Sequence, residues 1–288
     1  MPDQSSGLTF ADLINQGAAK LRNVGLDAAR YEARTLFLWL ADISPTDLIS
    51  AESNDASVAL VAKYETAIDR RAAGEPFQHI VGTTEFYGLE FRSDKRALIP
   101  RPDSECVVEL TLEMLPTDAP LSVADLGTGT GALLAAIVSH RPKASGTAIE
   151  RSPQAASLAE ENFIALGLST RTSIFRGSWS DWQGWGDCDL IISNPPYIES
   201  AVIPALQPEV RDHDPMDALD GGVDGLDAYR EIITLGAAHM KSGAHLILEI
   251  GYDQKDAVSA LLDAAGFTNL QHRKDLGGHD RAIAATRS

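Results

Sequence analysis

Strand-length apolar segments alternating with helical segments begin after Pro120, and this alternation constrains the fold more than any other feature of the chain. Crossover helices of this kind join parallel strands, because a parallel pair needs a long connection. Five segments have the composition of buried strands: 121–126, 146–149, 172–175, 190–192 and 245–250. Apolar stretches near Leu270 and at Ala282–Ala284 predict a terminal pair of strands. The sequence therefore predicts an α/β fold with a doubly wound, mostly parallel sheet.

The first quarter of the chain has a helical pattern instead. Between Leu8 and Ala73 apolar residues recur every three or four positions, as at Leu36 and Leu40. We expect residues 1–75 to form a small helical bundle, a substrate-recognition domain, although a role in packing alone fits the same pattern. Residues 76–100 predict a linking β-hairpin, because β-forming residues occupy 79–81 and 83–87. Residues 101–288 are then the domain that contains the sheet.

Charge and cysteine content narrow the possible functions. The chain has 24 Lys and Arg against 41 Asp and Glu, a net charge of −17, which disfavours binding to a nucleic-acid backbone and suits a basic protein partner. Cys106 and Cys188 lie in apolar runs without metal-ligand spacing, so we expect no metal site and a reducing compartment. No secretory leader is visible at the start, and no apolar run is long enough to span a bilayer. We therefore expect a cytoplasmic protein.

A glycine-rich segment joins the first predicted strand of the sheet to the first helix. Glycines at alternate positions allow a sharp turn and a close approach of the backbone to a ligand. With Ala132 as the last position, the segment also fits a dinucleotide fingerprint, but the acidic residue two positions before the first glycine is not part of that pattern. A purely structural turn is the third interpretation. The pattern Asp-x-Gly-x-Gly-x-Gly resembles motif I of class I S-adenosylmethionine-dependent methyltransferases, with candidate cofactor-binding residues Asp125, Gly127, Thr128, Gly129, Thr130 and Gly131.

Two side chains after the next strands are candidates for the rest of a nucleoside site. Glu150 ends the second predicted strand, where a carboxylate can accept hydrogen bonds from both ribose hydroxyls. Its alternative role is a solvated charge that favours the following helix dipole. Trp179, after the third strand, is our candidate for stacking on the adenine, with Trp182 and Trp185 as competitors.

The fourth predicted strand ends in Asn194-Pro195-Pro196-Tyr197. Neither proline has an N–H, and each holds the preceding residue extended, so the strand stops in a stiff turn. Such a turn presents an Asn carboxamide, backbone carbonyls and an aromatic ring, which suit a planar –NH2 group. A proline-rich turn without a function is the simpler alternative. Arg101, between Pro100 and Pro102, is either a solvated charge or a residue near this site.

Most of the chain resembles one methyltransferase family. The segments that carry the resemblance are Gly74–Ile80, Phe86–Gly88, Leu98–Glu105, Asp125–Gly131, Asn194–Tyr197, Glu209–Asp212, Ala218–Gly222 and Leu248–Gly251. Together they are similar to the bacterial release factor glutamine-N(5) methyltransferases, the HemK/PrmC family, with a Rossmann-like catalytic domain. The sequence departs from the family at Glu150, where Asp is common, and at Gly177–Trp179, where Ser-Asp-Trp is common.

The resemblance implies that the substrate is the Gln of the Gly-Gly-Gln loop in peptide release factors and that S-adenosylmethionine is the cofactor. Asn194 and the Pro195 carbonyl would accept the two amide N–H bonds, and Tyr197 would press on the amide plane. Pro196 and Arg101 complete the expected substrate contacts, and Asn194 also lies near the cofactor. Two rival hypotheses are an adenine-N(6) nucleic-acid methyltransferase, which the net charge disfavours, and a non-catalytic binding module, which the intact motifs disfavour.

Overall fold

The computed structural model of the protein describes residues 5–288 and divides into two compact units, one ending at Gly82 and the other spanning Thr83–Ser288. The first unit is a small helical bundle, as the sequence predicts. Its helices are α1 (Phe10–Asn23), α2 (Ala29–Ala41), α3 (Pro45–Ala51), α4 (Val58–Ala72) and α5 (Phe77–Val81), and its two short antiparallel strands are β1 (Ser5–Thr9) and β2 (Asp55–Ser57).

Local sequence signals explain where the helices of the first unit begin and how closely they pack. Thr9 and Ser44 form capping boxes that satisfy free N–H groups at the starts of α1 and α3. The buried Tyr64 hydroxyl of α4 donates to the Ala33 carbonyl of α2 at 3.0 Å. Gly17 lies where any Cβ would collide with the Tyr64 ring, so α1 and α4 approach closely only because this residue is glycine.

The predicted hairpin is confirmed in part. It consists of β3 (Thr83–Phe86) and β4 (Leu89–Arg92), which pair antiparallel. The prediction of a strand at 79–81 is wrong, because these residues end α5. Pro76 precedes the helix, where its missing N–H costs nothing, and Gly82 closes it at a φ of +79°. These two flanking residues outweigh the β-propensity of the apolar residues between them.

The second unit is built on a seven-stranded sheet, which confirms the predicted fold class. The strands are β5 (Ser122–Leu126), β6 (Ser145–Glu150), β7 (Thr172–Arg176), β8 (Leu190–Ser193), β9 (His245–Glu249), β10 (Phe267–Lys274) and β11 (Asp280–Arg287). Their order is β10-β11-β9-β8-β5-β6-β7; β5 to β9 are parallel, and β11 is antiparallel to its neighbours β9 and β10. The strand order reverses between β5 and β8, the position where open α/β sheets bind ligands at the strand carboxyl ends.

Helices cover both faces of this sheet. They are α6 (Glu105–Met114), α7 (Ala132–His140), α8 (Pro153–Ala165), α10 (Asp227–His239) and α11 (Lys255–Ala264), whereas α9 (Pro208–His213) has no buried residue and lies outside both cores. One core contains buried residues of α6, α7 and α8 together with Phe86 and Phe91 of the hairpin. The other contains buried residues of α10 and α11 together with Trp182 and Trp185. Burial on both faces is the reason why the parallel strands are apolar along their whole length.

A long excursion follows the Asn194–Tyr197 turn and returns to its own starting point. The Ile198 N–H donates to the Leu219 carbonyl at 3.0 Å, and the Gly221 N–H donates to the Ile198 carbonyl at 2.8 Å. Gly221 has to be glycine, because a Cβ there would lie 2.8 Å from the Tyr197 Cα. Within the excursion lie α9 and short 3-10 turns, so the irregular stretch that the sequence predicts is partly helical.

Candidate active site

A cavity of about 480 Å³ opens at the carboxyl ends of β5, β6 and β8, at the reversal of strand order. It lies wholly within the second unit. The predicted site residues that line it are Asp125, Gly127, Thr128, Gly129, Thr130, Glu150, Trp179, Asn194, Pro195, Pro196 and Arg101. Gly131 and Tyr197 are the predicted residues that do not line it. Segments far apart in the chain thus meet in one cavity.

The glycine-rich loop is held in a conformation that only glycine adopts easily. The Gly127 and Thr128 N–H groups both donate to the Ile149 carbonyl at the end of β6, at 2.8 and 3.3 Å. Gly127 and Gly129 have φ angles of +72° and +56° and expose backbone to the cavity. Gly131 has a different role, because a Cβ there would lie 2.8 Å from the Phe163 ring of α8. It lets the start of α7 pack tightly against α8.

Asp125 places a buried carboxyl group at the floor of the cavity. One oxygen, Oδ2, accepts a hydrogen bond of 2.6 Å from the Thr128 hydroxyl. The other, Oδ1, is buried and has no hydrogen-bond partner among residues 5–288. Burial raises the pKa of Asp125 to about 7. A buried acceptor without a partner is costly, so this oxygen fits a hydrogen-bonding or cationic group of a bound molecule.

Glu150 connects the glycine loop to the start of α8. Its Oε2 accepts from the Gly129 N–H at 3.0 Å, and its Oε1 accepts from the Ser152 N–H at 2.8 Å. The side chain therefore has a defined orientation at the cavity wall, where it remains only 8% exposed. The alternative of a solvated charge is wrong, because the side chain is buried, although its bond to the Ser152 N–H does place it at the start of α8. A carboxylate held in this way can still accept a hydroxyl.

The three tryptophans of this region have different surroundings. Trp179 lines the cavity, and its ring would lie 3.6 Å from a Cβ at Gly127. Trp182 and Trp185 are buried in the core, where their rings are 5.8 Å apart. The Trp185 indole N–H donates to the Trp179 carbonyl at 3.1 Å, which fixes the backbone of the residue at the cavity. Of the three, Trp179 has the placement that stacking on a ligand requires.

The Asn194 turn begins where β8 ends. The buried Ser193 hydroxyl donates to the Leu126 carbonyl at 2.7 Å and ties the turn to β5. The Asn194 side-chain Nδ2 donates to the Ser104 hydroxyl oxygen at 3.4 Å. In this orientation Nδ2 is the end of the carboxamide that Ser104 engages, and Asn194 lines the cavity.

Tyr197 points away from the cavity. Its ring packs against the core formed by α10 and α11, and its hydroxyl donates to Glu249 Oε1 at 3.2 Å. Burial and the Glu249 charge raise the pKa of Tyr197 well above its ordinary range, so the hydroxyl stays protonated. Glu249 was not among the predicted site residues. The signal for it was a single acidic residue at the end of an otherwise apolar strand, in Leu246–Ile250.

Arg101 lines the cavity and forms an ion pair rather than remaining a free charge. Its Nη2 lies 2.8 Å from Asp214 Oδ2, a carboxylate whose side chain is 1% exposed. Burial raises the pKa of Asp214, and the Arg101 charge acts against that rise. The pair connects the segment before α6 to the excursion after the Asn194 turn.

The described residues were also compared with the patterns of a metal site, a reactive thiol and a membrane-spanning helix. Within residues 5–288, no cluster of three or more His, Cys, Asp or Glu side chains has the arrangement of a metal site. Cys106 and Cys188 are buried free thiols, and burial raises the pKa of each. Among the helices of the described part of the chain, none is long and apolar enough to cross a bilayer.

Comparison with known proteins agrees with this geometry. Residues 12–82 match the family described as PrmC N-terminal domain, and residues 106–206 match the family described as methyltransferase small domain. A solved methyltransferase from Pyrococcus furiosus superposes with a TM-score of 0.52 over 70% of this chain and 91% of its own, at 15% identity, which shows a shared fold. Fold, glycine loop and Asn-Pro-Pro-Tyr turn define a class I S-adenosylmethionine-dependent methyltransferase.

Curated relatives identify the family within that class. The release factor glutamine methyltransferase of Caulobacter vibrioides is 38% identical over 98% of this chain and 97% of its own length. That of Bradyrhizobium diazoefficiens is 41% identical over 98% of this chain and 96% of its own length. The chain belongs to the release factor glutamine methyltransferase family. The predicted family, enzyme class and cofactor are thereby confirmed.

Proposed function

We propose that this protein transfers a methyl group from S-adenosylmethionine to the side-chain amide nitrogen of the Gln in the Gly-Gly-Gln loop of peptide release factors. The observation that carries the proposal is the orientation of the Asn194 carboxamide. Because Nδ2 is engaged by Ser104, Oδ1 is the acceptor left at the cavity for a substrate N–H. A planar amide needs such an acceptor, and membership of the family points to an amide as the substrate.

The cavity has the groups that the cofactor requires. The backbone of Gly127 and Gly129 permits close approach, and the unpaired Asp125 Oδ1 is an acceptor for the ammonium end of an amino-acid moiety. Glu150 would hold the ribose hydroxyls, and Trp179 would cover the adenine. When bound, the cofactor supplies an electrophilic methyl group on a sulfonium.

Methyl transfer then depends on how the protein holds the amide. An amide nitrogen is a weak nucleophile because its lone pair is delocalised, so orientation provides most of what the protein can contribute. Asn194 Oδ1 and the Pro195 carbonyl would accept the two N–H bonds, with Pro196 keeping the turn rigid. Tyr197 lies behind the turn rather than in the cavity, and we therefore give it a supporting role. No dedicated base is required, since water can take the proton after transfer.

The other parts of the chain have roles that follow from this reaction. The helical unit would bind the body of the release factor, outside the cavity that accepts the Gln side chain. A net charge of −17 complements a basic protein surface and repels nucleic acid. Arg101, held by Asp214, would contact the substrate backbone at the cavity. A cytoplasmic location follows, because release factors act on ribosomes.

The test is methylation of purified release factor with labelled S-adenosylmethionine, followed by mass mapping of the modified peptide. We expect one methyl group on the Gln of the Gly-Gly-Gln loop. The matched control is a release factor in which that Gln is replaced by Glu, which keeps the loop but removes the amide nitrogen. Label on any other residue, or equal labelling of the control, would refute the assignment. Duplex DNA as a parallel substrate tests the adenine-methylating alternative.

A further inference from the structure

Glu249 is a buried carboxyl that the proposed reaction does not yet use. It is the last residue of β9 and is 2% exposed. In the register of the sheet Ser193 of β8 pairs with Leu248, so Glu249 lies one position further, beside the Asn194 turn. Its Oε1 accepts the Tyr197 hydroxyl, and its Oε2 has no hydrogen-bond partner among residues 5–288. Burying a carboxylate oxygen without a hydrogen-bond partner costs folding free energy. We therefore expect Glu249 to have a purpose other than stability.

The other end of the turn is held by Ser104, which lies near the same carboxyl. Ser104 is 4% exposed, and its hydroxyl oxygen accepts from the Asn194 Nδ2. The Ser104 hydroxyl acts to lower the pKa of Glu249, which places it near this carboxyl. Glu249 thus holds Tyr197 by a hydrogen bond and lies near the residue that contacts Asn194. Asn194 and Tyr197 are the two ends of the Asn-Pro-Pro-Tyr segment.

The charges around Glu249 do not neutralise it. Arg281 is the nearest cation, but it pairs with Asp275 at 3.1 Å and with Asp103 at 3.6 Å. Burial raises the pKa of Glu249 to about 7, while Ser104, Arg281 and Tyr197 act to lower it. The titratable and charged groups that face this carboxyl are Arg281, Asp103, Tyr197, Tyr229 and Cys106.

We propose that Glu249 is a positioning residue for methyl transfer, which holds Tyr197 and, with it, the Asn-Pro-Pro-Tyr turn. This inference rests on the proposed function, since it assigns a role within the same site. The carboxyl accepts a hydrogen bond from the Tyr197 hydroxyl, which no apolar residue can do. With Nδ2 of Asn194 held by Ser104, Oδ1 keeps the direction that an amide N–H requires. Glu249 itself contacts neither substrate nor cofactor.

The test is a double-mutant cycle of Glu249→Gln and Tyr197→Phe, measured as the single-turnover methylation rate at saturating cofactor. Gln keeps the shape and one acceptor oxygen, and Phe removes only the hydroxyl. We expect each single change to lower the rate roughly 10- to 100-fold, the effect of small misplacements at a reacting centre. The double variant should lose little more than the worse single variant, because both changes break one connection. Cofactor affinity, measured by calorimetry, should change less than about twofold.

Tyr229→Phe is the matched control. Its hydroxyl also bonds to Glu249, but to the backbone carbonyl at 2.9 Å rather than to the carboxyl. It should lower stability and leave the single-turnover rate within about twofold of the wild-type value. The pH profile is a second readout: the wild-type rate should fall below about pH 7, as Glu249 gains a proton, and the Glu249→Gln rate should not.

A Glu249→Gln variant with the wild-type rate, or losses that multiply in the double variant, would overturn the inference. A Tyr229→Phe variant that slows methylation as much as Glu249→Gln would do the same, because the effect would then be one of stability alone. If wild-type protein failed to methylate release factor, the proposed function would fail instead. The Glu249–Tyr197 coupling would then be measured from urea unfolding of the same variants, and additive changes there would refute the connection itself.

Discussion

Replacement of Glu249 by Gln should stabilise the second unit in a pH-dependent way. The carboxyl is buried, and burial raises its pKa from an ordinary value of 4.5 to about 7. A carboxyl whose pKa is higher in the folded state binds more protons there than in the unfolded state. Its ionisation therefore costs folding free energy, and the cost grows as pH rises from about 4.5 to about 7 and is complete above that. Gln has the same shape and never ionises.

The size of the effect follows from those two pKa values. The interval between them corresponds to about 3 kcal/mol of folding free energy, of which about 2 kcal/mol accumulates between pH 5.5 and pH 8.5. Gln also alters the hydrogen bond from Tyr197, by an amount that is the same at both pH values. At each pH we therefore take the free energy of unfolding of the Gln variant minus that of wild type. The quantity of interest is this difference at pH 8.5 minus its value at pH 5.5. We expect about +2 kcal/mol.

Urea unfolding followed by tryptophan fluorescence measures this quantity. Three of the four tryptophans belong to the second unit, so a Trp39→Phe background makes the signal specific for it. Asp189→Asn is a useful control, because hydrogen bonds from Lys241 and Ser122 lower the pKa of the partly exposed Asp189 below its ordinary value of 3.8. Its carboxyl is therefore ionised in both the folded and the unfolded state between pH 5.5 and pH 8.5, and its stability difference should be the same at both pH values. An equal stability difference at both pH values for Glu249→Gln would mean that Glu249 ionises normally, and the argument from burial would be refuted.

Three further predictions concern the site and the helical unit. Asn194→Ala should lower the single-turnover rate by roughly 10²–10³, the cost of losing one positioned hydrogen-bonding group, with Asn194→Asp retaining more activity; a wild-type rate in the Ala variant would leave the turn without a catalytic role. Glu150→Ala should weaken cofactor binding by about 1.5–3 kcal/mol in calorimetry, since it removes charged hydrogen bonds, and unchanged affinity would exclude the ribose contact. A protein beginning at Thr83 should still bind cofactor but show a raised KM for intact release factor, and an unchanged KM would leave the helical unit a structural role.

Structural features that depend on residues close together in the chain were predictable from the sequence. The parallel strands follow from fully apolar segments separated by helices, and the cavity follows from the rule that ligands bind at strand carboxyl ends. The β1–β2 pair could not be found in this way, because Ser5 pairs with Ser57 and neither segment is apolar. Helix α5 was mistaken for a strand, since Pro76 and Gly82 decide its conformation and the residues between them favour the alternative.

The parts of the site that a single sequence motif defines were predictable, and the contacts between motifs were not. Glu150 and the glycine loop meet because β5 and β6 are adjacent and parallel. The direction of Tyr197 was not accessible, because it depends on a partner in β9 whose position beside β8 is a property of the sheet order. The contact between Ser104 and Asn194 joins residues 90 positions apart, so no local motif indicates it. Contacts of this kind emerge only from tertiary structure.

The excursion after Tyr197 forms part of the cavity wall on a loop whose base is closed by its own hydrogen bonds. Its two ends are hydrogen-bonded to each other at Ile198 and Gly221, so the base is closed whatever lies between. Residues Pro215–Ala218 within it nevertheless line the cavity. The entropy of closing a loop rises only slowly with its length, so insertions or exchanges here need not disturb the turn. Side chains in this part of the cavity wall can therefore change while the hydrogen-bonded base of the loop stays closed.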